Sequence, residues 1–87
     1  GTAGRIQGGD RMPLVPPADN FGSLNYAWRA QVFGKADSAF VVEAASLGLP
    51  LDVFPWSMAA YRAGLRQGAA YVLRPDGHVG LASPRQD

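Results

Sequence analysis

Residues 69–82 read Ala69-Ala70-Tyr71-Val72-Leu73-Arg74-Pro75-Asp76-Gly77-His78-Val79-Gly80-Leu81-Ala82. Two short apolar runs flank Arg74-Pro75-Asp76-Gly77, and that tetrapeptide demands a chain reversal. Proline presets φ for the first turn position, aspartate suits the second, and glycine takes the left-handed position that closes the turn. The spacing predicts a β-hairpin over residues 69–73 and 78–82. A chain of 87 residues buries only about 60% of the surface its unfolded form exposes. It therefore makes one small domain, and the hairpin requires that domain to contain a sheet.

Upstream of the hairpin the pattern divides into four further elements. From Asn25, the residues Tyr26, Trp28, Ala30 and Val32 alternate with Ala27, Arg29, Gln31 and Phe33, which predicts a strand with one apolar face; Gly34-Lys35 ends it. Asp37 stands where a helix N-cap belongs. Phe40, Ala44 and Leu47 then recur at helical spacing with Glu43 and Ser46 opposite them, the pattern of an amphipathic helix. Gly48 fits a left-handed C-cap, and Pro50 prevents continuation. Residues 49–54 are near-continuously apolar apart from Asp52, as in a strand covered on both faces. Ser57 is placed to cap a short helix over residues 58–62 that stops at Gly64. Residues 1–22, punctuated by Gly8-Gly9, Pro13 and Pro16-Pro17, read as an irregular extended arm. Residues 83–87 read as a polar tail that frays.

The order is β-α-β-α-β-β. Two strands joined by a helical crossover are expected to be parallel, and the hairpin adds an antiparallel pair. The expected fold class is α/β: a four-stranded mixed sheet of thioredoxin-like arrangement over residues 23–87, without its usual last helix, preceded by the arm of residues 1–22. Thioredoxins keep a Cys-x-x-Cys at the start of the first helix. Here that stretch is Gly34-Lys35-Ala36-Asp37-Ser38, so the expected scaffold lacks the redox pair.

Composition narrows the function classes. With 47% hydrophobic and 17% charged residues, the chain is that of a globular domain rather than a disordered one. A net charge of +1, with the basic residues scattered, supplies no footprint for nucleic acid or an anionic membrane. The chain contains no cysteine, which removes disulfides, thiol redox catalysis and thiolate metal sites. No apolar run is long enough to span a membrane and no signal peptide is visible, so a cytoplasmic location is expected. The chain does not begin with Met and reads as a piece of a longer protein.

Three segments together carry a family resemblance: Gly9-Asp10-Arg11-Met12-Pro13 in the arm, residues 47–56 (LGLPLDVFPW), and Leu73-Arg74-Pro75-Asp76-Gly77-His78-Val79-Gly80. In that order and at that spacing the chain resembles the C-terminal domain of FAD-dependent aromatic-ring hydroxylases, the phenol hydroxylase-like flavoprotein monooxygenases. Their pattern runs Gly-x-Arg-x-Pro in an extended connection, then closes on Val-Arg-Pro-Asp-Gly-(His/Tyr)-Val-Ala. The resemblance covers nearly the whole chain. Gly80, where the pattern has Ala, is one departure. The resemblance implies a parent enzyme in which NAD(P)H reduces FAD, oxygen forms a flavin hydroperoxide and a phenolic ring is hydroxylated. It places FAD and the substrate pocket in preceding domains of the same chain, with a homodimer as a further partner. No Gly-x-Gly-x-x-Gly occurs here, so neither a cofactor-binding nor a catalytic residue is assigned to this stretch.

The candidate residues fit a structural role. His78 is the only histidine and follows a tight turn, with Asp76 and Asp52 as the partners it would need for acid–base work. Arg74, Pro75, Asp76 and Gly77 read as turn chemistry. Ser38 and Ser57 lack a His–Asp arrangement to activate them, and the seven carboxylates form no helical pair suited to a metal. Most of Trp28, Phe54, Trp56, Tyr61 and Tyr71 are expected in the core. Arg11, in the arm, and Trp56, at a strand end, are the interface candidates. The function expected is a non-catalytic C-terminal domain that contributes packing, stability or oligomerisation. The alternative is a free-standing, redox-inactive thioredoxin-like interaction module that uses a sheet face or edge.

Overall fold

The computed structural model describes residues 1–16, 18, 20 and 27–86. Asn25 and Tyr26, the expected start of the first long strand, lie outside the described residues, as do Pro17 of the arm and Asp87 of the tail. The elements are β1 (Thr2–Ala3), β2 (Ile6–Gln7), β3 (Arg29–Phe33), α1 (Ser38–Ser46), β4 (Leu51–Phe54), α2 (Met58–Arg62), β5 (Ala70–Leu73) and β6 (Val79–Ser83). The chain is α/β, with a four-stranded mixed sheet in the order β4-β3-β5-β6. β3 and β4 run parallel across the α1 crossover, while β5 is antiparallel to both β3 and β6.

The register sorts the side chains into two faces. Gln31 lies opposite Tyr71 and Asp52, and Tyr71 lies opposite Ala82. Because side chains alternate along a strand, Phe33, Tyr71, Leu73, Val79 and Ala82 share one face. All five are buried in the main core, where Ala60 and Leu65 of the α2 region and Ala3, Ile6, Met12 and Val15 of the arm pack against them. Phe54 stacks on Phe33 with ring centroids 5.0 Å apart. Burying a side chain of the size of Phe33 or Leu73 contributes about 1.5–3 kcal/mol, so this face dominates the stability. Ala30, Val32, Ala70, Val72 and Leu81 point to the other face, where Phe40, Ala44 and Leu47 of the α1 region line a groove with Ala70, Val72 and Leu81. The two helices thus serve opposite faces of the sheet.

Helix ends are set locally. Ser57 accepts a hydrogen bond from the Ala60 amide (3.1 Å), as its position predicts. Gly48 (φ 68°) and Gly64 (φ 95°) both take the left-handed conformation. At the first, the amides of Gly48 and Leu49 donate to Ala45 and Ala44; at the second, those of Gly64 and Leu65 donate to Tyr61 and Ala60. Each is a Schellman closure, which satisfies carbonyls that would otherwise be orphaned.

Several expectations are corrected. The first 16 residues are not an irregular extension. Ala3 and Ile6 pair in a β1–β2 hairpin across the Gly4-Arg5 turn, with Gly4 at φ 64°. The stretch then bonds the outer edge of β6: Gly9 donates to Val79 O (2.7 Å), Val79 to Asp10 O (2.7 Å) and Met12 to Gly77 O (3.0 Å). The physical cause is the open β6 edge, whose unpaired backbone groups take the nearest extended segment. β3 is covered on both faces rather than one. Gln31 is wholly buried, and Trp28, before the strand, is 49% exposed. Among the described residues β4 pairs only with β3, so it is an edge strand there, with Val53 half exposed instead of covered on both sides. Along α1 only Ala44 is buried, and Leu47 is 71% exposed, so the helix turns a narrower apolar face to the sheet than the residue pattern predicts. Asp37 occupies the N-cap position without a side-chain cap bond; its backbone amide donates to Gln86 Oε1 (2.7 Å). Gln86 Nε2 donates to Lys35 O and Gly68 O, both at 2.9 Å, so the expected frayed tail is tied down through that residue.

Candidate functional site

The hairpin turn is the best-defined constellation of polar side chains. Gly77 donates to Arg74 O (3.0 Å) and Arg74 to His78 O (2.8 Å), with Gly77 at φ 86°. This is a type I turn followed by a left-handed glycine, the common three-residue hairpin loop. The Asp76 carboxylate accepts from the His78 amide (3.0 Å) and from Arg74 Nη2 (3.0 Å) and Nε (3.3 Å). These donors, the His78 amide foremost, hold its carboxyl below the usual carboxylate range. His78 Nδ1 is 3.3 Å from Asp76 Oδ1 but is buried without a hydrogen bond of proper geometry. Asp76 is thus committed to turn closure.

The same bonds bring two distant sequence motifs together. Gly9, Asp10 and Met12 bond Gly77 and Val79, and Arg11 bridges His78 in antiparallel fashion. Gly-Asp-Arg-Met-Pro and Arg-Pro-Asp-Gly-His are therefore two sides of one backbone ladder. Their spacing reflects a packing requirement of this chain. The Arg11 side chain, within that ladder, is exposed. Trp56 is half-buried, packed against the main core beside Phe54. Ser38 is exposed at the start of α1, and Ser57 is engaged as the α2 cap.

Asp52 is drawn away from His78 into a bidentate pair with Arg29 across β3 and β4, both N–O distances being 2.9 Å. The hydrogen bond to Asp52 raises the Arg29 guanidinium pKa above its ordinary value. Of the aromatic residues, Tyr71 is fully buried. Its hydroxyl accepts from the Arg66 amide (2.9 Å) and donates to Ala3 O (3.1 Å), and burial pushes its pKa up. Tyr61 and Trp28 face solvent instead of joining the core.

Two groupings escape the sequence patterns. Asn20, buried, accepts from the Val15 amide (3.1 Å), donates to Pro13 O (2.8 Å), and its own carbonyl accepts from Gln31 Nε2 (2.6 Å). This knot ties the arm to β3. No local signal marks it, since a glutamine in an alternating strand reads as solvent-facing. The second grouping is a cleft of about 430 Å³ lined by Gly4, Arg5, Tyr61, Arg62, Gly64 and Leu65. It joins residues some 60 positions apart in sequence, which periodicity does not connect. Among the described residues no three His, Asp or Glu side chains stand close enough to hold a metal ion, and no helix is long and apolar enough to cross a membrane. Comparison with family models, curated proteins and solved structures finds no match to this chain.

Proposed function

We propose that this chain is a non-catalytic C-terminal domain of a FAD-dependent aromatic hydroxylase, contributing domain packing, stability or oligomerisation. The observation that carries the reading is the ladder between the two motif segments, with Gly9, Asp10 and Met12 bonded to Gly77 and Val79. Residues that carry the resemblance spend their polar groups on backbone pairing and turn closure, as expected of a domain whose chemistry lies elsewhere. The thioredoxin-like reading draws support from the β4-β3-β5-β6 order, the parallel β3-α1-β4 unit and the antiparallel β5. In this proposal FAD, NAD(P)H and the aromatic substrate are bound by preceding domains, against which exposed Arg11 and half-buried Trp56 are the contact candidates. The same reading puts the parent protein in the cytoplasm. A second reading, a free-standing interaction module, draws on the outer edge of β4, which has no partner strand among the described residues and offers backbone groups to an added strand.

The test has two parts. The reading frame upstream of Gly1 is expected to encode several hundred residues with a dinucleotide fingerprint; a start codon immediately before Gly1 favours the free-standing module. The purified 87-residue chain is expected to remain colourless after incubation with FAD and gel filtration, and a retained yellow chromophore would refute the proposal.

A further inference from the structure

The cleft between the β1–β2 hairpin and α2 is built around two arginines. The hairpin tip sits hard on the end of the helix: Arg5 N donates to Gly64 O (2.8 Å), and a Cβ on Gly4 would lie 2.3 Å from that same oxygen. The Arg5 side chain then lies flat across Gly64, whose own Cβ would stand 3.0 Å from Arg5 Nε, and Nη2 donates to Arg62 O (2.8 Å). Gly64 at φ 95° thus clears the space that Arg5 occupies. This holds one guanidinium in place while spending a single one of its donors. Arg62 and Tyr61 form the facing wall, both exposed, and Leu65 the apolar part of the lining. Arg66 follows directly in the chain.

Charge is the second element. Arg29 and Arg74 are matched to Asp52 and Asp76. Among the described residues, neither Arg5, Arg62 nor Arg66 forms an ion pair. The C-terminal end of α2 answers Arg5 at one carbonyl, Arg62 O, and its carbonyls at residues 60 and 61 are taken by the Leu65 and Gly64 amides, and no carboxylate stands against either arginine among the described residues. Arg5 and Arg62 both line the concavity, and an anion that accepts from both side chains gains two charge-assisted hydrogen bonds. Guanidinium donors match the oxygens of a phosphate, and two uncompensated cations suit a dianion better than a single carboxylate.

We propose that the Arg5–Arg62 cleft is an oxyanion site for a phosphate group, free or carried on a small molecule, with Tyr61 and Leu65 as its walls. This stands independently of the domain assignment above. Two exposed arginines give an expected dissociation constant on the order of 1 mM.

The experiment follows arginine Nε–Hε resonances of the 87-residue chain during titration with inorganic phosphate, with acetate, and with chloride at matched ionic strength and pH. Saturable shifts are expected at Arg5 and Arg62 with phosphate, and weaker binding with acetate. A phosphate monoester such as phenyl phosphate separates the two sources: tighter binding than inorganic phosphate assigns an organic ligand, and equal binding assigns free phosphate. Arg62→Gln, which leaves the Arg62 carbonyl available to Arg5, is expected to weaken binding about tenfold, the loss typical of a charge-assisted hydrogen bond. Arg85→Gln, outside the cleft, is expected to leave it unchanged. Shifts that match those in chloride, binding by acetate as tight as by phosphate, or full affinity in Arg62→Gln each overturn the proposal.

Discussion

Gly80 shows how much a single residue decides at the hairpin. Val72 pairs with Leu81 and Leu73 with Val79, which leaves Gly80 as the extra residue of a bulge on β6. Its missing side chain is covered by Trp28: a Cβ there would lie 2.7 Å from Cζ3 of the indole and 3.3 Å from Cγ of Arg74. Alanine, the residue of the resembled pattern, therefore requires Trp28 to move, and its half-exposed ring is free to do so. Gly80→Ala is expected to red-shift the Trp28 emission, measured in a Trp56→Phe background, with a stability change below about 1 kcal/mol. An unshifted spectrum contradicts this packing. Asp76 makes a demand of another kind. Its carboxyl is held below its ordinary pKa, so the charged form stabilises the folded state above the unfolded carboxylate range. That contribution is lost as pH falls through the folded pKa. Because the carboxylate is exposed, the effect is small, and urea midpoints measured across acid pH are expected to fall less steeply in Asp76→Asn than in the parent chain.

At the scale of elements, the two helices differ in how they are started. The Ser57 hydroxyl accepts from the Ala60 amide, whereas Asp37 caps with no side-chain bond. Ser57→Ala is expected to cost about 1 kcal/mol, the usual loss of a cap, and Asp37→Ala distinctly less, both read from urea denaturation. The sequence marks both N-cap positions with equal clarity, because residue type and spacing are all it contains. What else meets a cap depends on the tertiary fold: Gln86, arriving from the far end of the chain, accepts from the Asp37 backbone amide. The C-terminal closures at Gly48 and Gly64 are legible in the sequence for the opposite reason, since a left-handed glycine acts on its own helix and needs no distant partner.

For the whole molecule, the arm matters most. Ala3, Ile6, Met12 and Val15 complete the core face that β3, β5 and α2 leave open, and Asn20 and Tyr71 fasten the arm by hydrogen bonds. At about 1.5–3 kcal/mol for each of the larger side chains, their loss is comparable with the roughly 5–15 kcal/mol that stabilises a small domain. A chain beginning at Ala18 is therefore expected to show no cooperative thermal unfolding transition, while the 87-residue chain shows one. An unchanged transition in the shortened chain refutes this account of the core.

The sequence by itself determined the turn at Arg74-Pro75-Asp76-Gly77, the helix stops at Gly48 and Gly64, the Ser57 cap and the β-α-β-α-β-β order after the arm, though not the β1–β2 hairpin within it. Each depends on φ preferences or on contacts a few residues away. Tertiary structure alone decided that β4 lies at the edge, that Gln31 is buried, that the arm pairs with β6 and that Arg5 meets Arg62. Those outcomes follow from which backbone groups remain unpaired and which face remains uncovered once the sheet has formed, and local periodicity carries neither. The cleft at Arg5 and Arg62 belongs wholly to this second kind, since its two walls come together only when the first hairpin closes on the end of α2.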